Sequence, residues 1–556
     1  MSVAWNVDLP TTQYVAHDLP TLALGSGSTQ PRVDPRCFIR VGSMEHQNLV
    51  NEIKANGHVA IDTETTGLVK WRDVPLYWSL AWGERRCTLH IGALASFLEA
   101  FADPNKEWVM ANAKYDTHML ANVGVHIAGR LVDTQVMHTL LYEDRPHDLK
   151  SMAKHILEWE WADFKDTFGK ITKKNTPEDI IRTAEAQNMP LLVEYAANDA
   201  FGTLKLYWAL KKELQSARTY SLFRTVRPYI DTLWDYFDKV EKPYTKVLWK
   251  MERKGARVDV ERMEGIRPTA EEEIARVEKD IVKHVGHAFS PTSNDDKAKY
   301  FYETKKYVPF KHTKGGKSGN RKPSVDAHVL GVFAEQYGDP VAELCIKHAE
   351  LSKLLGTYII GLRSHCDPDG RIHCSFNQDI VRTGRLSSRD PNLQNIPKPE
   401  NDKWNLRGSF IPDPGKAFVS ADYEQLEMRL LAAAAMEKDM IAIFERNWDI
   451  HMGNASLMFG IPYDDIKTAK KIEGEAKAGK RPMTDVTDYV RRCLDARAAA
   501  KNIGFGLNYG MGATKLARSL KVSRKEAEEK IAIYKKTYPA VTLFFEEAVR
   551  ETRETG

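Results

Sequence analysis

"GHVAIDTETTGL", residues 57–68, is a short apolar lead-in that ends in Asp62, Thr63 and Glu64. It reads as a buried strand, and strand alternation sets residues 62 and 64 on one face, where both carboxylates can reach one metal ion. Farther along, "WVMANAKYDTHML" has a second apolar strand leading to Asn112, with Asp116 at the start of a helix. "LLVEYAANDAFGTLKLY" then places Tyr195 and Asp199 one helical turn apart. Taken singly, Asp116 or Asp199 reads as a helix cap. Four acids and a tyrosine in order, each behind an apolar element, match what two divalent cations and an attacking water require. Alternating strands and helices from about 36 to 210 fit a mixed α/β domain.

The 556-residue chain is too long for one ordinary core, so three or more globular units are expected. Hydrophobic residues at 42% and charged residues at 28% describe a globular protein rather than a disordered or membrane-embedded one. No apolar stretch approaches the ~20 residues of a membrane span. The net charge of +4 says little, but its distribution says more. Nine Lys/Arg (297, 299, 305, 306, 311, 314, 317, 321, 322) face the single acid Glu303. That glycine-hinged run suits a clamp on a phosphate backbone, although such runs are commonly solvated loops. The six cysteines show no CxxC pair and no metal-ligand spacing, as expected of reduced thiols in the cytoplasm. The first twenty residues hold no Lys or Arg, so neither a secretory signal nor a transit peptide is expected.

From about Leu222 the pattern turns to long amphipathic helices, as in "PYTKVLWKMERKGARVDV" and "HAELSKLLGTYIIGL". "TGRLSSRDPNLQNIP" (383–397) is irregular, and Arg385, Gln394 and Asn395 suit the minor-groove acceptors shared by all base pairs. By composition alone it is a surface loop. "SADYEQLEMRLLA" (420–432) runs from a strand-like "GKAFV" into a helix, with Asp422 at the junction and Glu427 five residues on. "RAAAKNIGFGLNYG" (497–510) keeps Arg497, Lys501, Phe505 and Tyr509 on one helical stripe. Two cations and two aromatic faces on one stripe suit a triphosphate and a base.

Together these strings resemble DNA polymerases of the DNA polymerase I family (family A) that carry a DEDD-type 3′-5′ exonuclease in its tyrosine form. The resemblance covers all but roughly the first 35 residues. It implies an RNase H-like α/β exonuclease domain with a mixed sheet, followed by an α+β right-hand polymerase, C-terminally incomplete. The expected bounds are a leader over 1–35, the exonuclease over 36–212 and the polymerase over 213–556. Within the latter, the thumb is expected near 240–365, the palm part near 366–440 and the fingers near 441–556.

By the same resemblance Asp62, Glu64, Asp116 and Asp199 hold metals and Tyr195 orients the water, while Asp133 is structural. Asp422 ligates both metals of the polymerase site, and Lys501 protonates the leaving pyrophosphate. Gln425 and Glu427 face the incoming nucleotide, with Glu427 crowding the sugar 2′ position. His451 and Arg497 contact the triphosphate, Phe505 and Tyr509 the nucleotide, and Arg385, Gln394 and Asn395 the primer-template. The implied cofactors are two Mg²⁺ (or Mn²⁺) per active site, and the substrates are dNTPs.

A second palm carboxylate, on a His-Asp-Glu strand of motif C, is not found. The dipeptides His17-Asp18 and His147-Asp148 both precede Asp422. A second polypeptide carrying motif C is therefore expected as a partner, beside primer-template DNA and replisome proteins. The short leader and the absence of a 5′-nuclease region suggest a phage-type replicative enzyme in the bacterial host cytoplasm. A stand-alone exonuclease with a DNA-binding, polymerase-inactive remainder is the alternative, and a non-enzymatic DNA-binding scaffold is a third reading.

Overall fold

The computed structural model describes residues 42–219, 229–313, 321–478, 480–508, 510–520 and 522–555, and the side chains at 400, 483, 505 and 555 lie outside the described set. It divides into two compact units, one of residues up to 214 with 237–418, the other of 215–236 with 419–556. Residues 1–35, Lys314, Lys317, Tyr509 and the Phe505 side chain fall outside the described residues.

The first unit opens with helix α1 (Met44–Ala55) and strands β1 (His58–Thr65), β2 (Pro75–Trp82) and β3 (Arg85–His90). Strand β4 (Glu107–Met110), helix α2 (Ala113–Asn122), strand β5 (Arg130–Asp133) and helix α3 (Thr134–Leu141) follow. The sheet order is β3-β2-β1-β4-β5. β1 runs antiparallel to β2 and parallel to β4, so the sheet is mixed, as the resemblance implied.

β1 forms because Val59, Ala60 and Ile61 bury completely in the sheet's core, beside Trp78, Trp108, Phe97 and Phe101. Removing such side chains from water is worth about 1.5–3 kcal/mol each, which fixes β1 at the centre of the sheet. The register slips between Glu64 and Thr65, a bulge that ends the pairing beside the acids.

Two short helices, α4 (Leu149–Met152) and α5 (Phe164–Thr167), precede α6 (Pro177–Ser216), which is broken at Asn188 by non-helical torsions. The half of α6 carrying Tyr195 and Asp199 is pinned to the sheet where Thr88 Oγ1 donates to the Val193 carbonyl at 3.0 Å.

The same unit continues through helices α7 (Lys242–Lys254), α8 (Val260–Val285), α9 (Ala327–Tyr337) and α10 (Pro340–Lys353). α7 ends where Gly255 takes a φ of 61°; a Cβ there would lie 2.8 Å from the Ile372 carbonyl oxygen, so only glycine fits. Two-stranded ribbons β6 (Ala256–Arg257) with β7 (Arg371–Ile372), and β8 (Ser375–Asn377) with β9 (Ser387–Arg389), follow. β9 lies inside "TGRLSSRDPNLQNIP", which the sequence reads as wholly irregular.

In the second unit the regular elements described from 426 onward are all helices: α11 (Leu426–Ala434), α12 (Lys438–Glu445), α13 (Ile450–Phe459), α14 (Tyr463–Lys477) and α15 (Asp488–Asn508). α16 (Ala513–Leu520), α17 (Arg524–Thr537) and α18 (Pro539–Thr555) complete it. The strand expected at "GKAFV" before Asp422 is not formed. A strand needs a neighbour to take its backbone hydrogen bonds, and among the described residues none pairs with 416–421. Phe418 and Val419 stand 65% and 90% exposed in consequence. Among the described residues no helix is long and apolar enough to cross a membrane.

Candidate active sites

The first cluster gathers at the carboxyl end of β1. Asp62 and Glu64 come from the strand itself and Asp116 from α2, where Thr63 Oγ1 donates to Asp116 Oδ1 at 2.6 Å. Asp133 fixes that helix, accepting from the backbone N–H groups of Asn112 (3.1 Å), Ala113 (2.8 Å) and Gln135 (3.0 Å). One carboxylate thus caps both α2 and α3, the structural role expected for it. Tyr195 and Asp199 project from α6, with Phe164 and Phe168 edge-on to Tyr195 at 6.0 and 5.3 Å between centroids.

The electrostatics show that these groups share one space. Burial, followed by the charges of Asp116, Asp199 and Glu64, holds the Asp62 carboxyl well above the usual carboxylate range. Burial and Asp199 push Glu64 up to about 8, and burial brings Asp116 to about 7 against the Thr63 hydrogen bonds. The Tyr195 phenol is raised by burial and by the charges of Asp199, Glu64 and Asp62, so it stays protonated.

All four acids offer only carboxylate oxygen, a donor set suited to hard divalent cations such as Mg²⁺ and Mn²⁺. No group of three among the described His, Cys, Asp and Glu side chains is set to hold a metal ion as it stands. The Lys150 ammonium instead pairs with Asp199 Oδ1, which also accepts the Trp161 indole N–H at 2.6 Å. Neither Lys150 nor Trp161 is legible as a site residue in the sequence: Lys150 lies on the short helix α4 and Trp161 in the irregular stretch 158–163.

The second cluster lies in the all-helical unit. Asp449 caps α13, accepting from Met452 N at 2.9 Å, and pairs with Arg497 of α15 at 3.0 Å. His451, in the first turn of α13, is buried, and its imidazole is pushed down to about 4. Burial is the main cause; Asp449 opposes it, while Arg497 and Lys501 add to it. Arg497 and Lys501 thus lie near His451, which is uncharged at neutral pH. Asp449 holds one edge of the Arg497 guanidinium.

Gln425 takes a left-handed backbone (φ 56°) ahead of α11, and its side-chain carbonyl accepts from Ile450 N at 2.8 Å. It thus ties the start of α11 to the helix bearing His451. Asp422 and Glu427 are exposed, Asp422 in a segment without regular structure and Glu427 in the first turn of α11.

In the first unit Arg385, Gln394 and Asn395 are exposed along one loop. The loop is anchored by Tyr358 Oη donating to the Asn395 carbonyl at 2.5 Å and by Gln394 N donating to Ser388 Oγ at 3.2 Å. Within the basic run, Lys311 pairs with Asp326 at 2.5 Å and Lys322 with Asp295 at 3.4 Å, so part of its charge is met locally.

Comparison with known proteins extends these observations. Residues 42–215 match the family described as 3′-5′ exonuclease, and residues 260–479 with 481–556 match DNA polymerase family A. The chain is 30% identical over 491 residues to DNA polymerase I of Treponema pallidum, covering 85% of this chain and 43% of that protein. It is 34% identical over 325 residues to the thermostable DNA polymerase I of Thermus aquaticus, covering 58% and 35% respectively. With DNA polymerase I of Chloroflexus aurantiacus it shares 28% identity over 586 residues, covering 99% and 56%. The chain thus spans about half, or less, of the length of these curated relatives. Among solved structures, the POL domain of Pol1 from M. smegmatis, in complex with DNA primer-template and dNTP, is similar with a TM-score of 0.70. That likeness covers 93% of this chain and 79% of the other at 24% identity, and it bears on the fold alone.

Proposed function

We propose, for a chain that belongs to DNA polymerase family A, that it couples a 3′-5′ exonuclease to template-directed DNA synthesis. The observation that carries the exonuclease reading is the convergence of Asp62, Glu64, Asp116 and Asp199, from three separated segments, on one buried space that Tyr195 overlooks. In this reading the four carboxylates hold two divalent cations, Mg²⁺ or Mn²⁺, which supply a nucleophilic water near neutral pH and offset charge on the phosphodiester. Tyr195, kept protonated, orients that water through its hydroxyl. Thr63 holds Asp116 in place, and Asp133 fixes the helix that delivers it.

For synthesis, Asp422 is the metal-holding carboxylate. Lys501 stands to protonate the departing pyrophosphate, while Arg497, oriented by Asp449, and neutral His451 contact the triphosphate. Glu427 crowds the sugar 2′ position, and Phe505 and Tyr509 face the nucleotide. Gln425 sets the start of α11, and Arg385, Gln394 and Asn395 meet the minor groove of the primer-template. The substrates are dNTPs.

Two cations cannot be held in line by one carboxylate, so synthesis needs a second acid on a strand beside 416–421. The exposed, unpaired Phe418 and Val419 support a partner strand there. In our reading a motif C strand outside these 556 residues supplies it, whether from the same polypeptide or from a second one. The same exposure favours a second reading, in which this chain by itself is an exonuclease whose remainder binds DNA without extending it.

Digestion of 3′-labelled single-stranded DNA in Mg²⁺ or Mn²⁺ tests the exonuclease. The double variant Asp62→Ala, Glu64→Ala should lose at least a hundredfold in rate, the several kcal/mol that metal activation contributes. Undiminished digestion would overturn the assignment. Primer extension by the 556-residue chain, with and without a motif C polypeptide, separates the two readings of the polymerase half.

A further inference from the structure

Lys150 enters the cluster of acids from outside every motif that the sequence displays. It lies in α4, whose N-cap Asp148 accepts from Ser151 N at 3.0 Å. Its ammonium pairs with Asp199 Oδ1, 4.4 Å from the centroid of the Trp161 ring and 4.6 Å from that of Tyr195. Trp161 Nε1 donates to the same oxygen at 2.6 Å. The Lys150 and Asp199 side chains are only 17% and 10% exposed. A carboxylate and two aromatic faces therefore enclose one cation. That cation faces the rest of the cluster too, since it favours the charged forms of Asp62 and Glu64 against their neighbours.

With the Lys150 ammonium and the Trp161 indole N–H both on Oδ1, only Oδ2 of Asp199 is left to a divalent cation. A dication on that oxygen would also stand against the Lys150 charge in a half-buried space, where screening is weak. The Lys150 ammonium and a divalent cation at Asp199 are thus alternatives. Lysine is a point charge on a flexible four-carbon stem, so its tip can leave while its backbone stays in α4. The anion that an exonuclease brings to this space is the terminal phosphodiester of its substrate.

We propose that Lys150 is a positioning residue that links the binding of divalent cation and of a DNA 3′ end. Its ammonium holds Asp199 until a cation takes that carboxylate, and then transfers to the substrate phosphate. The proposal rests on the exonuclease reading of the site. By linkage, each ligand must then strengthen the other by the same factor.

Electron paramagnetic resonance of free Mn²⁺ measures this without turnover. The full chain is titrated with and without an oligothymidylate whose last linkage is a methylene phosphonate, which keeps the charge and resists hydrolysis. The sites that disappear in the double variant Asp62→Ala, Glu64→Ala define the class to be read. Lys150→Met should bind Mn²⁺ about tenfold more tightly than wild type in the absence of DNA, and the oligonucleotide should no longer change its affinity. In wild type and in Lys150→Arg the oligonucleotide should tighten Mn²⁺ about fivefold or more. Wild-type Mn²⁺ affinity together with wild-type DNA coupling in Lys150→Met would overturn the proposal while leaving the exonuclease reading standing. A double variant that keeps every Mn²⁺ site would instead overturn that reading.

Discussion

Glu252, in α7, offers the sharpest energetic test of how the first unit holds its acids in place. The side chain is 1% exposed and accepts from Lys114 Nζ at 2.5 Å, His118 Nε2 at 3.0 Å and Phe376 N at 2.7 Å. Lys114 and His118 both lie in α2, the helix that carries Asp116. Burial alone would raise the Glu252 carboxyl, yet His118, Lys114 and Lys70 bring it from 4.5 down to about 2. A depression of about 2.5 units corresponds to about 3 kcal/mol. Breaking a buried ion pair by removing one partner costs about 3–5 kcal/mol, so the two routes agree. Glu252→Gln keeps the shape and removes the charge, leaving the Lys114 ammonium buried without its counter-charge. Hydrogen exchange of peptides spanning 113–122 and 242–254 should show the opening free energy lower by about 3 kcal/mol at pH 7. The sign with pH is fixed. A carboxylate depressed by folding stabilises above its ordinary value, and that stability is lost as pH falls from about 4.5 through about 2. His118, pushed down to about 4 chiefly by burial, must charge in the same descent and adds to the loss, beginning below its ordinary 6.5. Wild-type protection should therefore decline steadily on acidification, and that of the variant less so. A loss below about 1 kcal/mol at pH 7, with an unchanged acid slope, would refute the reasoning.

Two further substitutions probe the cluster of acids and the helical unit. At Gly202 an added Cβ would meet Trp161 Cη2 at 2.5 Å, so Gly202→Ala must push an indole that is tied to Asp199. The expected cost is about 1–3 kcal/mol, with slower exonuclease digestion; the loss should vanish when Gly202→Ala is made in a Trp161→Phe background, and persistence there would disprove the link. Glu437 is buried and accepts from Asp439 N at 3.4 Å and Ala540 N at 2.9 Å, joining the starts of α12 and α18. Glu437→Ala should open those helices by about 2 kcal/mol in hydrogen exchange, with Glu437→Gln recovering more than half because it keeps an acceptor; equal losses in both variants would show that the hydrogen bonds are not the cause.

Much of the first site was legible because local periodicity determines it. Val59–Ile61 dictate a strand, alternation puts Asp62 and Glu64 on one face, and a four-residue step puts Asp199 one turn beyond Tyr195. Lys150 and Trp161 were not legible for the converse reason. The approach of Lys150 to Asp199 depends on where the short helix α4 packs, that of Trp161 on the irregular stretch before α5 and the bare Cα of Gly202, and no period in the chain records any of these. The strand expected at "GKAFV" fails on the same principle. Apolar composition supplies the propensity for a strand, but a strand exists only when another takes its hydrogen bonds.

The two sites therefore differ in what supports their carboxylates. Asp62 and Glu64 lie on a central strand paired on both sides, and the sheet's core offsets the mutual repulsion of four buried acids. Asp422 lies on a segment that no described strand supports, and its carboxylate is exposed. The cations of the second site behave otherwise. Arg497 is held by Asp449 from the cap of a well-packed helix, and Lys501 follows one turn later on the same α15. On the proposed reading, triphosphate binding is preorganised in the helical unit by this ion pair. On that reading, nucleotide affinity should depend on Asp449 and Arg497.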